Sequence, residues 1–296
     1  MLDKNILFTT IDGYIGSNIY KQFYKNKNCF FLTDKVDRIN KADRIYFYKD
    51  LPVLLSKQGI DIVFNNRGVI VGDNKNMHSI NYTDNKKLFS AMVKKNIKLF
   101  INLDTNRVFN HDKVPRSIID TGKGSGYYAS KEKFRNFLKE LKTNTRIVNI
   151  YCDIVYGPGD KLHKFVNKIT VKIIEDRDSV VIKNSKLIRN FVYIDDFVDF
   201  VKKLLSSNAK IRKNYTECFV VSKRFYTLSQ LTKKIKKIAN SRCEIISNNV
   251  ANYAITNSLL IKEFDINKNP SWLKWKPKTS LDKGLNEVVE SSRSES

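Results

Sequence analysis

The sequence predicts an α/β fold in which a doubly wound parallel sheet precedes a smaller C-terminal α/β domain. Over the first half of the chain, short apolar runs alternate with helical patterns, which is typical of βαβ units whose sheet is covered on both faces. After the turn cluster Gly157-Pro158-Gly159 the elements become shorter and mixed. We therefore predict a first domain at 1–156, a second mainly at 157–290 with segments that return to the first sheet, and a disordered tail at 291–296.

Each predicted element follows from its local pattern. The strands of the first half are apolar runs of four or five residues: Ile6–Thr9, Cys29–Thr33, Arg44–Tyr48, Ile60–Phe64, Leu99–Leu103 and Arg146–Ile150. Helical spacing of apolar residues predicts the helices between them: Tyr14–Lys25, Pro52–Lys57, Thr83–Lys95 and Tyr128–Lys142. The same patterns in the second half predict helices at Phe165–Glu175 and Asp195–Leu205, strands at Val180–Lys183 and Cys218–Ser222, a helix capped by Thr227, and a last helix after Ser280.

Composition narrows the class of protein. The 296 residues can bury a large core, and we find no apolar run of the ~18 residues that span a bilayer. The N-terminus runs straight into the first strand, so we expect no signal peptide. Four scattered cysteines without a CxxC pair or a His cluster predict reduced thiols, a cytoplasmic location and no metal site. The net charge of +24 fits either a solvated lysine surface or attraction for polyanions such as RNA.

The segment FTTIDGYIGSN, residues 8–18, joins the first strand to the first helix. In a Rossmann-like fold, three glycines make the turn, admit the pyrophosphate and let the helix pack on the strand. Gly13 and Gly16 match the second and third roles, whereas Thr10 stands at the first and fits only with a negative φ. The helix N-terminus then favours the anion. We predict a cofactor-binding loop formed by Thr10, Asp12, Gly13, Tyr14, Ile15 and Gly16.

Asp34 ends the second strand, 18 residues after Gly16. A carboxylate there accepts a hydrogen bond from the adenosine ribose 2′-OH and repels a 2′-phosphate, which favours NAD over NADP. The neighbouring Lys35 weakens that preference. The alternative is that Asp34 only begins a turn.

The segment GYYASKEKFRNFL places Tyr127 and Lys131 four residues apart, on one face of a helix. Phe134 and Leu138 continue that face, so we expect it to point inward. An ammonium group beside a tyrosine stabilises the phenolate and lowers the tyrosine pKa, which suits a general acid or base for a sugar hydroxyl. Thr105 follows the strand Leu99–Leu103, at the sheet edge where ligands of open α/β folds bind. The alternative for Thr105 is a simple turn.

Together these motifs resemble the extended short-chain dehydrogenase/reductase family, in particular its nucleotide-sugar epimerases, dehydratases and reductases. The resemblance covers nearly the whole chain. It includes the glycine loop, KDL (Lys49, Asp50, Leu51), the signature that begins at Asn81, YYASK, VYGPGD (Val155–Asp160), RNFVYIDDFVDFV (Arg189–Val201) and WKPKTSLDKGL.

The resemblance implies NAD-dependent hydride transfer at a sugar carbon of a nucleoside-diphosphate sugar, by an isomerase or oxidoreductase of carbohydrate metabolism. It implies that Tyr127 exchanges the hydroxyl proton, that Lys131 holds the nicotinamide ribose and tunes Tyr127, and that Thr105 hydrogen-bonds the sugar oxygen. By the same resemblance, Arg189 binds the substrate diphosphate. Residues implied to contact the cofactor outside the glycine loop are Asp34, Asp50, Leu51, Arg67, Asn81, Tyr127 and Lys131.

The chain also departs from the family pattern. Arg67 stands where a small residue usually lines the cofactor path, so this cation could pair with the pyrophosphate or block it. Tyr151 and Ile154 replace an arginine and an asparagine of many members. Asn106 and Arg107 replace the Asp-Glu pair of 4,6-dehydratases, which disfavours dehydration and leaves epimerase or keto-sugar reductase.

Two further expectations concern partners. Family members commonly form homodimers through the two helices that correspond to Thr83–Lys95 and Tyr128–Lys142, although lysines on these helices could oppose that pairing. The alternative to an enzyme is a catalytically degenerate family member that binds nucleotide or RNA and has a regulatory role. The charge of +24, Thr10 and Arg67 favour that alternative.

Overall fold

The computed structural model describes residues 3–38, 43–70, 72–105, 125–175, 178–249 and 254–294. The chain forms two compact units. The first contains Met1–Cys152, Val201–Phe219 and Lys268–Lys274, and the second contains Asp153–Phe200, Val220–Asn267 and Trp275–Ser296.

A seven-stranded sheet is the centre of the first unit. Its order is β10-β6-β5-β4-β1-β2-β3, and the neighbours from β3 to β6 pair in parallel. The order 3-2-1-4-5-6 is that of the doubly wound dinucleotide fold, so the predicted fold class is confirmed. The strands are β1 (Ile6–Phe8), β2 (Cys29–Thr33), β3 (Ile45–Phe47), β4 (Ile62–Asn65), β5 (Leu99–Thr105), β6 (Arg146–Cys152) and β10 (Tyr215–Val220).

The helices of this unit connect successive strands and bury their apolar faces on the sheet. They are α1 (Tyr14–Phe23), α2 (Leu51–Lys57), α3 (Asn74–His78), a π-helix at Ser79–Asp84, α4 (Asn85–Val93) and α5 (Ser125–Glu140). β1 and β2 are buried at every residue because helices cover both faces, which explains their continuous apolar runs. Phe8 shows the packing: its ring lies 5.2 Å from that of Phe23 on α1 and 5.4 Å from that of Phe31 on β2.

The second unit contains two small sheets. One has the order β11-β9-β7, with β9 parallel to β7 and antiparallel to β11, and in the other β12 pairs in parallel with β8. The strands are β7 (Ile154–Tyr156), β8 (Ser179–Lys183), β9 (Ile188–Tyr193), β11 (Phe225–Thr227) and β12 (Glu244–Asn248). The helices are α6 (Phe165–Ile174), α8 (Leu228–Ala239), α9 (Ala254–Glu263) and α10 (Leu281–Ser294), while α7 (Ile194–Ser206) passes from the second unit into the first.

Two local predictions can be compared directly with this unit. Thr227 forms the predicted capping box, since its hydroxyl accepts from the Gln230 N–H while the Gln230 side chain accepts from the Thr227 N–H. The prediction of disorder was wrong for residues 291–294, which continue α10. Arg293 anchors this last turn by donating to the Ala239 carbonyl oxygen at 2.8 Å, and it also pairs with Glu290 at 3.1 Å.

Among the described residues, no helix combines the length and apolar character that crossing a membrane requires.

Candidate active site

The loop between β1 and α1 has the geometry that its sequence requires. Thr10 has a negative φ, because the described non-glycine residues with positive φ are Arg44, Asn96, Asn184 and Asn240. Gly16 permits the close packing of α1, since a Cβ there would lie 2.0 Å from the Thr10 carbonyl oxygen. A Cβ on Gly13 would meet no atom within 4 Å, so there is open space beside the loop at this residue.

Asp12 ties this loop to the end of β2. Its carboxylate accepts from the Thr33 hydroxyl at 2.7 Å and from the Asp34 N–H at 2.8 Å. Gly13 is the N-cap of α1 and has no side chain that could satisfy the first N–H groups of the helix. The loop therefore leaves a helix N-terminus beside open space, which fits a diphosphate.

Asp34, the predicted ribose ligand, is paired with Arg67. The Arg67 Nη1 atom lies 3.0 and 2.9 Å from the two carboxylate oxygens of Asp34. The guanidinium also covers the ring of Tyr48, 4.1 Å from its centroid. The Tyr48 hydroxyl donates to the Thr9 carbonyl oxygen and lies 3.0 Å from the Thr10 hydroxyl. Arg67 thus contacts the adenosine end of the predicted cofactor site.

Asn81 fixes the loop that follows β4. Its amide accepts from the Val69 N–H at 2.8 Å and donates to the Val69 carbonyl oxygen at 2.9 Å, and it also donates to Ser130 on α5 at 3.2 Å. Asn81 lies in the π-helix, a distortion that is frequent at functional sites. Gly68 lies against it, since a Cβ there would be 3.2 Å from the Asn81 Oδ1 atom and 3.4 Å from the Lys131 ammonium.

The other predicted cofactor contacts are placed as follows. Asp50 precedes α2 and is partly exposed, whereas the Leu51 side chain is buried in the apolar core. Tyr14 and Ile15 begin α1 and are partly exposed.

The three predicted catalytic residues lie on β5 and α5. Thr105 is the last residue of β5 and is buried. Lys131 is also buried, and its ammonium donates to the Leu103 carbonyl oxygen at 2.8 Å, two residues before Thr105. Tyr127 lies one helical turn before Lys131 and is partly exposed. The hydrogen bond from Lys131 to Leu103 therefore holds α5 against the end of β5, the strand that carries Thr105.

A chain of buried polar side chains crosses the sheet from Thr9, which follows β1, to Asp104 near the end of β5; we call it the amide ladder. The Thr9 hydroxyl donates to Asn65 at 2.9 Å, Asn65 donates to Asn102 at 3.1 Å, and Asn102 donates to Asn149 at 2.7 Å. Asn149 then donates to the Asp104 Oδ2 atom at 3.0 Å, while the Asp104 Oδ1 atom accepts from the Thr105 N–H at 2.8 Å. The ladder therefore runs from the glycine loop to Thr105.

Burial perturbs the pKa values of the two ionisable groups near Thr105, Asp104 and Lys131. Desolvation raises the pKa of Asp104, and the positive charge of Lys131 opposes that rise. Desolvation lowers the pKa of Lys131, and the charge of Asp104 opposes that change. Each group therefore stabilises the charged form of the other.

Arg189, the predicted diphosphate ligand, lies on β9 in the second unit. It is buried, its Nη1 atom donates to the Ile188 carbonyl oxygen at 2.8 Å, and its Nε atom lies 3.9 Å from Asp153.

The structure describes two of the residues that depart from the family pattern, Tyr151 and Ile154. Tyr151 is buried in the first unit, where its hydroxyl donates to Glu217 at 2.9 Å and its ring stacks on Phe219. Ile154 begins β7. Asn106 and Arg107, on which the argument against dehydration rests, lie outside the described residues.

Tyr48 and the ladder residues were not predicted from the sequence; the ladder residues are Asn65, Asn102, Asn149 and Asp104. A usable signal was present for the ladder, because each of three apolar strands carries an asparagine and these pair in register, Asn65 with Asn102 and Asn102 with Asn149. Asp104 lies two residues after Asn102, hence on the same face. We know of no signal for Tyr48, since its partner Arg67 is distant in the sequence.

The fold and these side chains define a class of protein: a Rossmann-like α/β protein of the extended short-chain dehydrogenase/reductase type. The model of the NAD-dependent epimerase/dehydratase family matches residues 6–216. The chain belongs to this family, and the resemblance noted from its motifs is confirmed.

Individual relatives are distant. CDP-abequose synthase of Salmonella typhimurium is 23% identical over 220 residues, which is 72% of this chain and 69% of that protein. Among solved structures, one similar to this chain is that of UDP-glucose 4-epimerase of Thermotoga maritima with UDP-glucose. It has a TM-score of 0.75 and 21% sequence identity, and the match covers 98% of this chain and 99% of the epimerase chain. A second is that of UDP-glucuronic acid 4-epimerase of Bacillus cereus with UDP-glucuronic acid and NAD. It has a TM-score of 0.76 and 17% sequence identity, and the match covers 98% of this chain and 100% of the epimerase chain.

Proposed function

We propose that this protein is an NAD(P)-dependent nucleotide-sugar epimerase or keto-sugar reductase, with Thr105, Tyr127 and Lys131 as its catalytic set. The observation that carries the proposal is the 2.8 Å hydrogen bond from the Lys131 ammonium to the Leu103 carbonyl oxygen. A buried lysine held against the end of β5 supports the use of Tyr127 and Thr105 on one reacting oxygen. Family membership supplies the general reaction type.

The residues of the first unit fit a nicotinamide dinucleotide. The uncapped N-terminus of α1 and the open space beside Gly13 suit the pyrophosphate, and Asp34 retains acceptor capacity for a ribose hydroxyl because a carboxylate accepts about four hydrogen bonds. A bound nicotinamide would supply the hydride chemistry, and these residues would hold it. The Bacillus cereus epimerase, whose structure contains NAD, supports NAD as the cofactor here.

Proton transfer is assigned to Tyr127. During oxidation of a sugar hydroxyl the phenolate removes the proton, and during reduction of the ketone the phenol returns it. Lys131 remains close to the reacting end of β5 and stabilises the phenolate by its charge. Thr105 donates to or accepts from the sugar oxygen and orients it.

The proposed substrate is a nucleoside-diphosphate sugar. The names of the relatives include a CDP-sugar and two UDP-sugars, which supports the substrate class but not one base. Arg189 is proposed to bind the diphosphate, because a guanidinium forms paired hydrogen bonds with phosphate oxygens.

The test uses the full chain with NAD(H) or NADP(H) and a panel of UDP-, CDP- and dTDP-sugars, analysed by chromatography and mass spectrometry. An epimerase yields an isomer of unchanged mass without net cofactor consumption, whereas a reductase consumes NADH or NADPH in step with product. A product lighter by one water would instead establish a dehydratase.

Two variants provide the mechanistic control. Tyr127→Phe should abolish turnover while cofactor binding persists, and Tyr128→Phe removes a neighbouring hydroxyl from the same helix and should remain active. Equal activity of both variants would contradict the role of Tyr127. Absence of nicotinamide binding together with salt-sensitive RNA binding would favour the regulatory alternative.

A cytoplasmic homodimer that pairs through α4 and α5 is the proposed assembly. Lys86 on α4 is one of the lysines expected to oppose dimerisation. Its ammonium lies 5.0 Å from the centroid of the Phe137 ring, so it covers apolar surface of its own unit. Light scattering on the purified chain should give the mass of two copies, and a monomer would refute the assembly.

A further inference from the structure

The pairing of Arg67 with Asp34 changes the charge of the predicted adenosine site. The Arg67 Nη1 atom contacts both oxygens of Asp34, at 3.0 and 2.9 Å, and its Nη2 atom lies 3.9 Å from Asp84. The Arg67 side chain is 16% exposed and that of Asp34 is 53% exposed. A cation is therefore held inside the site, next to a carboxylate that remains accessible to a ligand.

Arg67 is held from both its backbone and its side chain. Its N–H donates to the Asn65 side chain at 3.4 Å, and its carbonyl oxygen accepts from the Asn85 side chain at 3.2 Å. The guanidinium lies on Tyr48, whose hydroxyl is itself fixed to the glycine loop through Thr9 and Thr10. These contacts distinguish Arg67 from a solvated surface arginine.

The position matters because an unpaired carboxylate at the end of β2 discriminates between the two nicotinamide dinucleotides. It accepts from the ribose 2′-OH of NAD and repels the 2′-phosphate of NADP, whereas a nearby arginine accommodates that phosphate. In this chain the carboxylate and the arginine form one neutral pair. A guanidinium has five N–H donors, so contact with Asp34 through Nη1 leaves others for a phosphate oxygen.

We propose that Arg67 is a specificity-determining residue that lets the adenosine site accept a 2′-phosphate, so that NADP and NAD bind with comparable affinity. This inference rests on the proposed use of a nicotinamide dinucleotide. It modifies the preference for NAD that Asp34 alone predicts.

The experiment measures dissociation constants of NAD⁺ and NADP⁺ by isothermal titration calorimetry on the full chain. The readout is the ratio of the NADP⁺ constant to the NAD⁺ constant, in which a general loss of stability in a variant cancels. For the wild type we expect the two constants to agree within about tenfold. Arg67→Met keeps the aliphatic contact with Tyr48 but removes the charge, and should raise the ratio by about 10- to 100-fold, as expected for loss of a charge-assisted hydrogen bond.

Two further variants make the result specific. Arg38→Met removes a neighbouring cation that contacts Asp12 at 3.6 Å instead of Asp34, and should leave the ratio unchanged. Asp34→Asn keeps Arg67 and removes the negative charge, and should shift the ratio in favour of NADP⁺. If Arg67→Met does not fold, the wild-type ratio still tests the proposal, because Asp34 without an effective arginine partner would bind NAD⁺ more than about 100-fold more tightly than NADP⁺.

The outcomes separate the two proposals. A wild-type protein that binds NAD⁺ more than about 100-fold more tightly than NADP⁺, or an unchanged ratio in Arg67→Met, overturns the role of Arg67 while nicotinamide binding stands. A wild-type protein that binds neither dinucleotide overturns the proposed function and this inference with it.

Discussion

Alanine substitutions in the amide ladder should be strongly non-additive. Asn102→Ala leaves two buried polar groups without their ladder partners, the Asn65 Nδ2 atom and the Asn149 Oδ1 atom, which are bonded at 3.1 and 2.7 Å. Asn149→Ala likewise removes the partners of the Asn102 Nδ2 atom and the Asp104 Oδ2 atom. Each single substitution therefore removes two hydrogen bonds from buried groups.

The magnitude follows from counting these groups. A buried polar group left unsatisfied costs about 1–3 kcal/mol, so each single variant should lose about 2–6 kcal/mol of unfolding free energy. The double variant again leaves two ladder groups unsatisfied, one on Asn65 and one on Asp104. Its loss should also be about 2–6 kcal/mol, which is less than the sum of the single losses by about 2–6 kcal/mol.

Urea denaturation followed by circular dichroism measures the four free energies of the cycle. Sucrose added equally to all samples keeps the weaker variants folded. As a control, Thr145→Val removes a buried hydrogen bond to the Ile97 carbonyl oxygen outside the ladder, and should add to Asn102→Ala within about 0.5 kcal/mol. Additive losses for Asn102→Ala and Asn149→Ala would refute the ladder as one connected chain.

Three further predictions concern other parts of the chain. Gly16→Ala should destabilise the protein by about 1–3 kcal/mol because its Cβ meets a carbonyl oxygen at 2.0 Å. Gly13→Ala places its Cβ in open space, so its melting temperature should fall less, by no more than the poorer N-cap preference of alanine causes. Burial raises the pKa of Cys29 and Cys218 from 9.0 to about 12. The neutral thiols therefore stabilise the folded state fully below pH 9.0, and the unfolding free energy should fall as the pH rises from there towards 12. A urea midpoint that rises over this range would contradict the assignment. Thr227→Ala should cost about 0.5–2 kcal/mol in a urea titration by removing the capping box of α8, and Thr227→Ser should restore most of it.

The parallel sheet was predictable because its signals are local. Most strands of the first unit are short and apolar, and helical patterns lie between most of them. Burial on both faces produces the continuous apolar runs. The small strands of the second unit were harder. β7 and β11 have three residues each, and β12 is largely exposed, so none of them shows a distinct apolar run or alternation.

The candidate site was predictable where spacing along the chain determines it. Tyr127 and Lys131 lie on one helix, and Thr105 ends a strand, so their positions follow from secondary structure alone. The pair formed by Arg67 and Asp34 was not predictable, because it joins the ends of two strands that are separated by β1 in the sheet. Whether an arginine reaches a pyrophosphate or a carboxylate depends on its rotamer, which the sequence does not specify.

The direction of the hydrogen bonds in the amide ladder bears on the charge of Asp104, at the end of the ladder beside Thr105. Both Asp104 oxygens face N–H donors, Oδ1 the Thr105 amide and Oδ2 the Asn149 side chain. An ionised carboxylate accepts through both oxygens, so the ionised form of Asp104 matches the direction of these two hydrogen bonds. Burial alone favours the neutral form, and the nearby charge of Lys131 opposes it. The Lys131 charge that we propose stabilises the Tyr127 phenolate therefore also favours the ionised form of Asp104, which accepts at one end of the ladder while Thr9 donates at the other.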